Sequence, residues 1–312
     1  MKFYDFHSIK DQSALIDRAL YFKQNNFRSD LGKGKTIALV FLNPSLRTRL
    51  STQEAANRMG MQVICFNSGQ AWPWEIRDHA VMNGRFSEHI KDAAKVISSY
   101  VDIIGIRCFA GLEDYEEDQK DIVIKQFTRY ATVPVINMES AAMHPLQSLT
   151  DMITLKELFG EKKMNITLSW APHPKPLPQA VANSFTQWAL GMGHNLTITH
   201  PRGYELDPSI TKGAEICYDQ EEAFGGASVV YAKSWCKTTQ YGLTNPSFKE
   251  WMIDQHKMDL TSNGIFMHCL PIRRNVIASD EVLDGTASVI YRQAKNRLYA
   301  AQAVIEHLLK AM

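Results

Sequence analysis

The sequence predicts an α/β protein made of two doubly wound domains, each a parallel sheet covered by helices on both faces. Three observations lead there. The chain has 312 residues, which at about 150 residues per domain is two, each large enough to bury a core without disulfides. Short apolar, β-branched runs alternate with helical patterns from end to end, the signature of βαβ units. Those runs are continuously apolar rather than alternating, as strands buried on both faces of a parallel sheet must be.

Residues 35–42 (KTIALVFL) read as a strand, 47–59 (RTRLSTQEAANRM) as a helix stopped by Gly60, and 61–67 (MQVICFN) as the next strand. Helix 89–100, strand 102–108, helix 118–130 and strand 133–138 continue the alternation, and 145–160 is a further helix. A second series runs through strand 164–170 (MNITLSW), helix 177–190 and strands at 195–199, 227–232 and 265–270. The domain boundary is expected within helix 145–160, giving 1–150 and 151–290, with a final helix over 291–312 packing back across one of the two.

Lys+Arg 34 against Asp+Glu 33 gives a formal charge of +1, so no long-range field recruits nucleic acid or an anionic membrane, and an anion must be caught by a local cluster. The longest apolar run, Ile37 to Leu42, is strand-sized, far below the roughly 20 residues a bilayer requires. The first dozen residues acquire Asp5 and His7 before any apolar stretch, so no signal peptide is read there. Five scattered cysteines without a CxxC pair suit reduced thiols. A cytoplasmic protein is the expectation.

Ligands of doubly wound sheets sit beyond the carboxyl ends of the strands, so the residues that follow each strand are the candidates. Gly34-Lys35-Thr36 resembles the tail of a phosphate-binding P-loop but precedes a strand and lacks the first glycine, since position 29 is Ser29. Gly191-Met192-Gly193 lies between a helix and a strand, where glycine is an ordinary C-cap. The strongest local signal is Asn43-Pro44-Ser45-Leu46-Arg47-Thr48-Arg49, between a strand and the helix after it. A helix start offers unpaired N–H groups, and two hydroxyls and two guanidiniums at the same spot make a phosphate pocket. The alternative is that Ser45 only caps the helix while the arginines face solvent.

Arg107 ends one strand, Glu139 follows another, and His144-Pro145-Leu146-Gln147 opens the next helix. An arginine, an imidazole and an amide from adjacent strand ends can hydrogen-bond a small carbonyl and the charge that develops when it is attacked. A lone histidine at a helix start is otherwise structural. In the second half, Trp170-Ala171-Pro172-His173-Pro174-Lys175, Lys233 and His268-Cys269-Leu270-Pro271-Ile272-Arg273-Arg274 again follow strands, and Arg297 lies on the last helix, where a surface position is the alternative.

Together these motifs are recognisable. Ser45-Leu46-Arg47-Thr48-Arg49 resembles the SxRTR carbamoyl-phosphate motif of the aspartate/ornithine carbamoyltransferase family, His144-Pro145-Leu146-Gln147 its HPxQ motif, and His268-Cys269-Leu270-Pro271 the HCLP motif of its ornithine branch. The resemblance covers essentially the whole chain. It implies two carbamoyltransferase-type α/β domains, the first binding carbamoyl phosphate and carrying the C-terminal helix, and a homotrimer with active sites shared between subunits. It implies no metal and no cofactor. Ornithine enzymes carry a Ser-Met-Gly loop that grips the free α-amine, and no Ser-Met-Gly occurs here. Trp170–Leu177 and Gln70-Ala71-Trp72-Pro73-Trp74-Glu75 instead look like the N-acylornithine branch. An α-amide has no ammonium to pair with, so a missing carboxylate suits it. Where the acetyl enzymes resemble TEEH, this chain has Ser87-Glu88-His89, and the loss of a charge at Ser87 favours a succinyl tail over an acetyl one.

The resemblance assigns Ser45, Leu46, Arg47 and Thr48 to the phosphate of carbamoyl phosphate, with Arg107, Arg297 and, from an adjacent subunit, Trp72. His144, Gln147, Cys269 and Leu270 surround the carbamoyl group, and Arg107, His144 and Thr48 stabilise the oxyanion. Glu139, His173, Lys233, Arg273 and Ser87 are assigned to the acylornithine. Two rival readings are a family member acting on another amine and a non-enzymatic relative.

Overall fold

A computed structural model describes residues 2–67, 73–244 and 248–312. The chain divides into two compact units, one of residues 1–110, 116–149 and 296–312, the other of 111–115 and 150–295. No helix among the described residues is long and apolar enough to cross a membrane.

Unit 1 is built in the order β1 (Lys2–Phe3), α1 (Gln12–Gln24), β2 (Thr36–Phe41), α2 (Leu46–Arg58), β3 (Gln62–Asn67), β4 (Trp74–Glu75), β5 (Glu88–His89), α3 (Ile90–Tyr100), β6 (Ile103–Arg107), α4 (Tyr115–Gln119), α5 (Ile122–Tyr130), β7 (Val135–Glu139) and the start of α6 (Pro145–Phe159), which belongs to unit 2 from Thr150 on. Its main sheet has the order β1-β7-β6-β2-β3, with every pair parallel. Ala38 and Val40 of β2 and Ile104 and Ile106 of β6 pack with Ile90, Ala94, Ile124 and Phe127 from α3 and α5. That is why these strands read as unbroken apolar runs. The chain leaves β2 for β3 on one side and continues through β6 on the other, so the crevice between β2 and β6 is the switch point where ligands of such sheets bind.

Unit 2 repeats the plan with β8 (Asn165–Trp170), α7 (Ala180–Gly191), β9 (Asn195–Thr199), α8 (Pro208–Thr211), β10 (Glu215–Cys217), α9 (Gln220–Phe224), β11 (Val229–Lys233), α10 (Gln255–Asp259), β12 (Ile265–Met267), α11 (Asp280–Asp284) and α12 (Ile290–Lys310). The strand order is β10-β9-β8-β11-β12, all parallel, and its switch point falls between β8 and β11. Val230, Ala232 and Phe266 form its core with Phe224, Val282 and Ile290. The last turns of α12 belong to unit 1: Glu306 is paired there with Arg18 at 2.6 Å, and the Gln302 amide donates to the Phe27 carbonyl at 3.0 Å.

Two expectations are corrected, and two strands are added. The single helix over 118–130 is two, because Asp121 takes a left-handed backbone (φ 53) between α4 and α5. The run 265–270 is strand only to Met267; Leu270 turns out of it with φ 56, before a cis peptide to Pro271. Strands β1 and β10 had no apolar run to mark them: they are two and three residues long at sheet edges, and Glu215 and Ile216 face solvent.

Candidate functional site

In unit 1 the motif residues converge on the switch point. Ser45 is the N-cap of α2 but makes no side-chain cap bond, so its hydroxyl is not committed to the helix as the capping alternative requires. Leu46 is 67% exposed, so only its backbone N–H can serve a ligand. Arg47 is half-buried and Thr48 buried, one turn into the helix. Arg49 points elsewhere: its guanidinium lies beside the Cys65 thiol on β3, where its charge opposes the rise that burial causes in that thiol's pKa. One arginine of the pair therefore remains at the crevice, where the sequence suggested two.

Arg107, the last residue of β6, lies opposite Phe41 on one side and Glu139 on the other. It is 8% exposed. Its Nε donates to Glu139 Oε2 at 2.9 Å and its Nη2 lies 2.8 Å from the same oxygen, while Nη1 donates to the carbonyls of Asn43 and Pro44 at 3.0 and 3.1 Å. Asn43 also fixes the far wall, its Oδ1 accepting from Phe109 N at 2.8 Å. The guanidinium is thus locked in one plane at the loop that starts α2, with one Nη2 N–H left over for a ligand.

Glu139 is the counter-ion of this site. The resemblance groups it with the acylornithine residues; it lies in unit 1, with Oε2 turned to Arg107 and 3.6 Å from His144 Nε2. Burial alone would raise its pKa, but His144, Arg107 and Arg297 together hold it below the usual carboxylate value. Removing a partner from a buried carboxylate of this kind leaves its charge uncompensated. Its Oε1 takes no protein hydrogen bond among the described residues. His144 is buried just ahead of α6, and its carbonyl accepts from Gln147 N at 3.1 Å.

Arg297 is not a surface residue. It is 7% exposed, donates from Nη2 to Thr48 Oγ1 at 2.6 Å and from Nη1 to Gln147 Oε1. One guanidinium thereby joins the start of α2 to the start of α6. Ser87 lies in the same unit, exposed, just before β5; the neighbouring Glu88 accepts from the Trp74 indole at 3.2 Å. Trp72, Gln70 and Ala71 lie outside the described residues.

Unit 2 presents a basic group at its own switch point. Lys233, the last residue of β11, pairs in register with Trp170, the last of β8. Its buried ammonium donates to the Ser234 carbonyl at 2.9 Å. His173 follows β8 and is half-buried, with Nδ1 2.7 Å from the Lys175 carbonyl and 3.1 Å from the Lys175 N–H; Nδ1 is thus engaged by the Lys175 backbone. Burial lowers the His173 pKa, and the charges of Lys233, Arg273 and Lys175 push it the same way. These residues are therefore within electrostatic reach of one another, although Arg273 is itself exposed. A small cleft opens beside His173 and Lys175, walled by Trp170, Tyr204 and Trp235. Cations around a neutral imidazole beside an aromatic wall suit an anionic ligand with an uncharged body.

Cys269 and Leu270 are half-buried and held from behind. His268 N donates to Gln293 Oε1 at 3.0 Å, Gln293 Nε2 donates to the buried Asp151 at 2.7 Å, and His268 Nδ1 accepts from Leu270 N at 2.9 Å. Asp151 and Gln293 were missed in the sequence, because neither follows a strand and their partnership spans 142 residues. Among the described residues no cluster of His, Cys, Asp and Glu suits a metal ion.

This geometry can be set beside known proteins. Residues 3–157 match the family model "Aspartate/ornithine carbamoyltransferase, carbamoyl-P binding domain", and residues 178–308 match its Asp/Orn binding domain. The N-succinylornithine carbamoyltransferase of Bacteroides fragilis is 41% identical over 99% of this chain and 98% of its own length. The N-acetylornithine carbamoyltransferase of Xanthomonas axonopodis pv. citri is 40% identical over 95% and 92%. Among solved structures, an N-acetyl-L-ornithine transcarbamylase variant with one glutamate replaced by serine, complexed with carbamyl phosphate and N-succinyl-L-norvaline, superposes with a TM-score of 0.94 at 38% identity, covering 99% of both chains. Fold, order of domains and motif positions define a two-domain α/β carbamoyltransferase. The chain belongs to the aspartate/ornithine carbamoyltransferase family.

Proposed function

We propose that this protein transfers the carbamoyl group of carbamoyl phosphate to the δ-amine of an N-acyl-L-ornithine, with N2-succinyl-L-ornithine as the preferred acceptor, in arginine biosynthesis in the cytoplasm. The observation that carries the transfer chemistry is the buried set Arg107–Glu139–His144 beside Arg297–Thr48–Gln147 at one strand switch point.

Ser45, the Leu46 N–H, Arg47, Thr48 and Arg297 hold the phosphate, joined by Trp72 from a neighbouring copy in a homotrimer. The free Nη2 N–H of Arg107, with His144 and Thr48, faces the carbonyl oxygen. Gln147, Cys269 and Leu270 take the carbamoyl NH2. Glu139, through its open Oε1, orients the δ-amine, and His173, Lys233 and Arg273 hold the acceptor's carboxylate. The neutral amine's lone pair attacks the carbonyl carbon, the oxyanion forms against Arg107, His144 and Thr48, and the bond from carbon to the phosphate oxygen breaks. The departing phosphate takes the amine proton. Holding both substrates in line is worth up to about 7–11 kcal/mol in favourable cases.

The acyl preference rests on Ser87. We take the glutamate exchanged in the solved acetylornithine transcarbamylase variant to be its counterpart: with serine there, that enzyme holds N-succinyl-L-norvaline. A neutral, small side chain leaves a terminal carboxylate unopposed. The 41% relative is named for the succinyl substrate; the alternative acceptor, N-acetylornithine, is the one named for the 40% relative. Rates with the three ornithines decide: succinyl above acetyl, and free ornithine inactive, is expected, and a preference for free ornithine would refute the reading.

A further inference from the structure

Asp121 sits at the N-cap of α5 with φ 53, a left-handed conformation that costs a non-glycine residue energy, and its carboxylate makes no cap bond to its own helix. An aspartate at that position ordinarily caps. Here both oxygens are spent on the turn after β7 and on the end of β1. Oδ1 accepts from Ala141 N at 3.0 Å; Oδ2 accepts from Ser140 Oγ at 2.7 Å and from the Tyr4 hydroxyl at 2.8 Å. Ser140, Asn137 and Asp121 are all buried.

A carboxylate is an acceptor only, so it dictates the direction of every hydrogen bond around it. The Ser140 hydroxyl must donate to Asp121, which turns its lone pairs to Asn137 Nδ2 at 3.0 Å and to Met143 N at 3.3 Å. Ser140 N closes the turn on the Met143 carbonyl at 2.8 Å. The next residue is His144, and the residue before Ser140 is Glu139. The two groups that face each other across 3.6 Å are therefore the two ends of the turn that Asp121 ties down.

We propose that Asp121 is a positioning residue for His144: its carboxylate fixes the turn over 140–143 from which the imidazole meets the carbamoyl oxygen. The proposal rests on the role given to His144 above. A positioning group of this kind acts on the transition state and leaves the phosphate contacts on α2 and α12 alone.

The test compares Asp121→Asn, Ser140→Ala and Tyr4→Phe in the full chain. An amide at 121 can donate to Ser140, letting that hydroxyl reverse and release Met143 N. Asp121→Asn and Ser140→Ala should each lower kcat by at least about tenfold with KM for carbamoyl phosphate within about threefold of wild type, while Tyr4→Phe, which removes only the outer donor, stays within about twofold. The ring proton signal of His144 in NMR, assigned with His144→Gln, should shift in the first two variants and not in the third. Unchanged kcat and an unmoved His144 signal in folded Asp121→Asn overturn the proposal, as does a rise in KM that tracks a fall in Tm. Should Asp121→Asn fail to fold, Ser140→Ala decides by the same criteria. A wild type that transfers no carbamoyl group refutes the reading of the site, and the His144 signal then still decides whether Asp121 positions the ring.

Discussion

Arg297 and Thr48 are 249 residues apart in the chain, and the Arg297 Nη2 lies 2.6 Å from Thr48 Oγ1. The same guanidinium reaches Gln147 through Nη1. A fork that bonds two elements at once pre-organises both for a ligand. Arg297→Lys keeps the charge and loses the fork, so kcat/KM for carbamoyl phosphate should fall by at least about tenfold, roughly 1.4 kcal/mol, and Arg297→Met by more. Steady-state kinetics on the two variants check this.

Glu139→Gln should hurt twice. It removes the charge that balances Arg107 in a buried setting, and breaking such a pair by one partner typically costs about 3–5 kcal/mol of stability. Urea unfolding should show that loss, and turnover should fall by at least about a hundredfold as Arg107 leaves its plane. Wild-type stability together with wild-type kcat would contradict the counter-ion role.

At Arg47 the two readings of the α2 start separate. If it faces phosphate, Arg47→Ala nearly abolishes activity while Tm barely changes, because a half-buried guanidinium contributes little to packing. Near-normal turnover at saturating carbamoyl phosphate would return Arg47 to the solvated alternative.

His173 predicts a proton linkage. Burial keeps its pKa below 6.5 against the opposing contact with the Lys175 backbone, and the neighbouring cations add to the lowering, so the ring is neutral at pH 7, and a bound carboxylate favours the imidazolium. Acceptor binding should take up protons and tighten as the pH falls from 7 toward the free enzyme's lowered His173 value. Calorimetry in two buffers of different ionisation enthalpy reads the uptake directly, and His173→Gln should abolish it.

His200 predicts a stability effect of its own. It is 1% exposed and burial, the larger influence, lowers its pKa below 6.5 against its contact with the Pro201 carbonyl. A histidine held neutral stabilises the fold fully above about 6.5, its unfolded value, and that contribution is lost as the pH falls through the folded value. The drop in Tm between pH 7.5 and 5.5 should therefore shrink in His200→Gln.

How much was legible in the sequence depended on how local each signal was. The start of α2 announced itself because strand, helix start, hydroxyls and arginines are adjacent in the chain. Arg107, Glu139 and Lys233 were legible as strand ends, since a parallel sheet delivers those positions to one edge. Arg297 gained a role only through resemblance, because its partners lie on α2 and α6, far along the chain. Asp121 was hidden: an apolar helical pattern runs on through 122–130, and nothing nearby reveals a carboxylate committed to a turn twenty residues later. Arg49 misled for the opposite reason, since two residues along the helix are about half a turn and carry it away from Arg47 toward Cys65.

The acyl preference is the finest of these claims. With Ser87→Glu, repulsion between two carboxylates should lower kcat/KM for the succinyl substrate by at least about tenfold while the acetyl substrate suffers less. Equal losses on both substrates would remove Ser87 from acyl selection.

The central claim is carbamoyl transfer to a blocked ornithine, and its most direct measurement is phosphate release and ureido product from carbamoyl phosphate with N-succinyl-L-ornithine, N-acetyl-L-ornithine and L-ornithine in parallel. Turnover should be highest with the succinyl compound, lower with the acetyl compound and essentially absent with free ornithine. Turnover with free ornithine at or above the acylated substrates, or with neither acylated substrate at all, would contradict it.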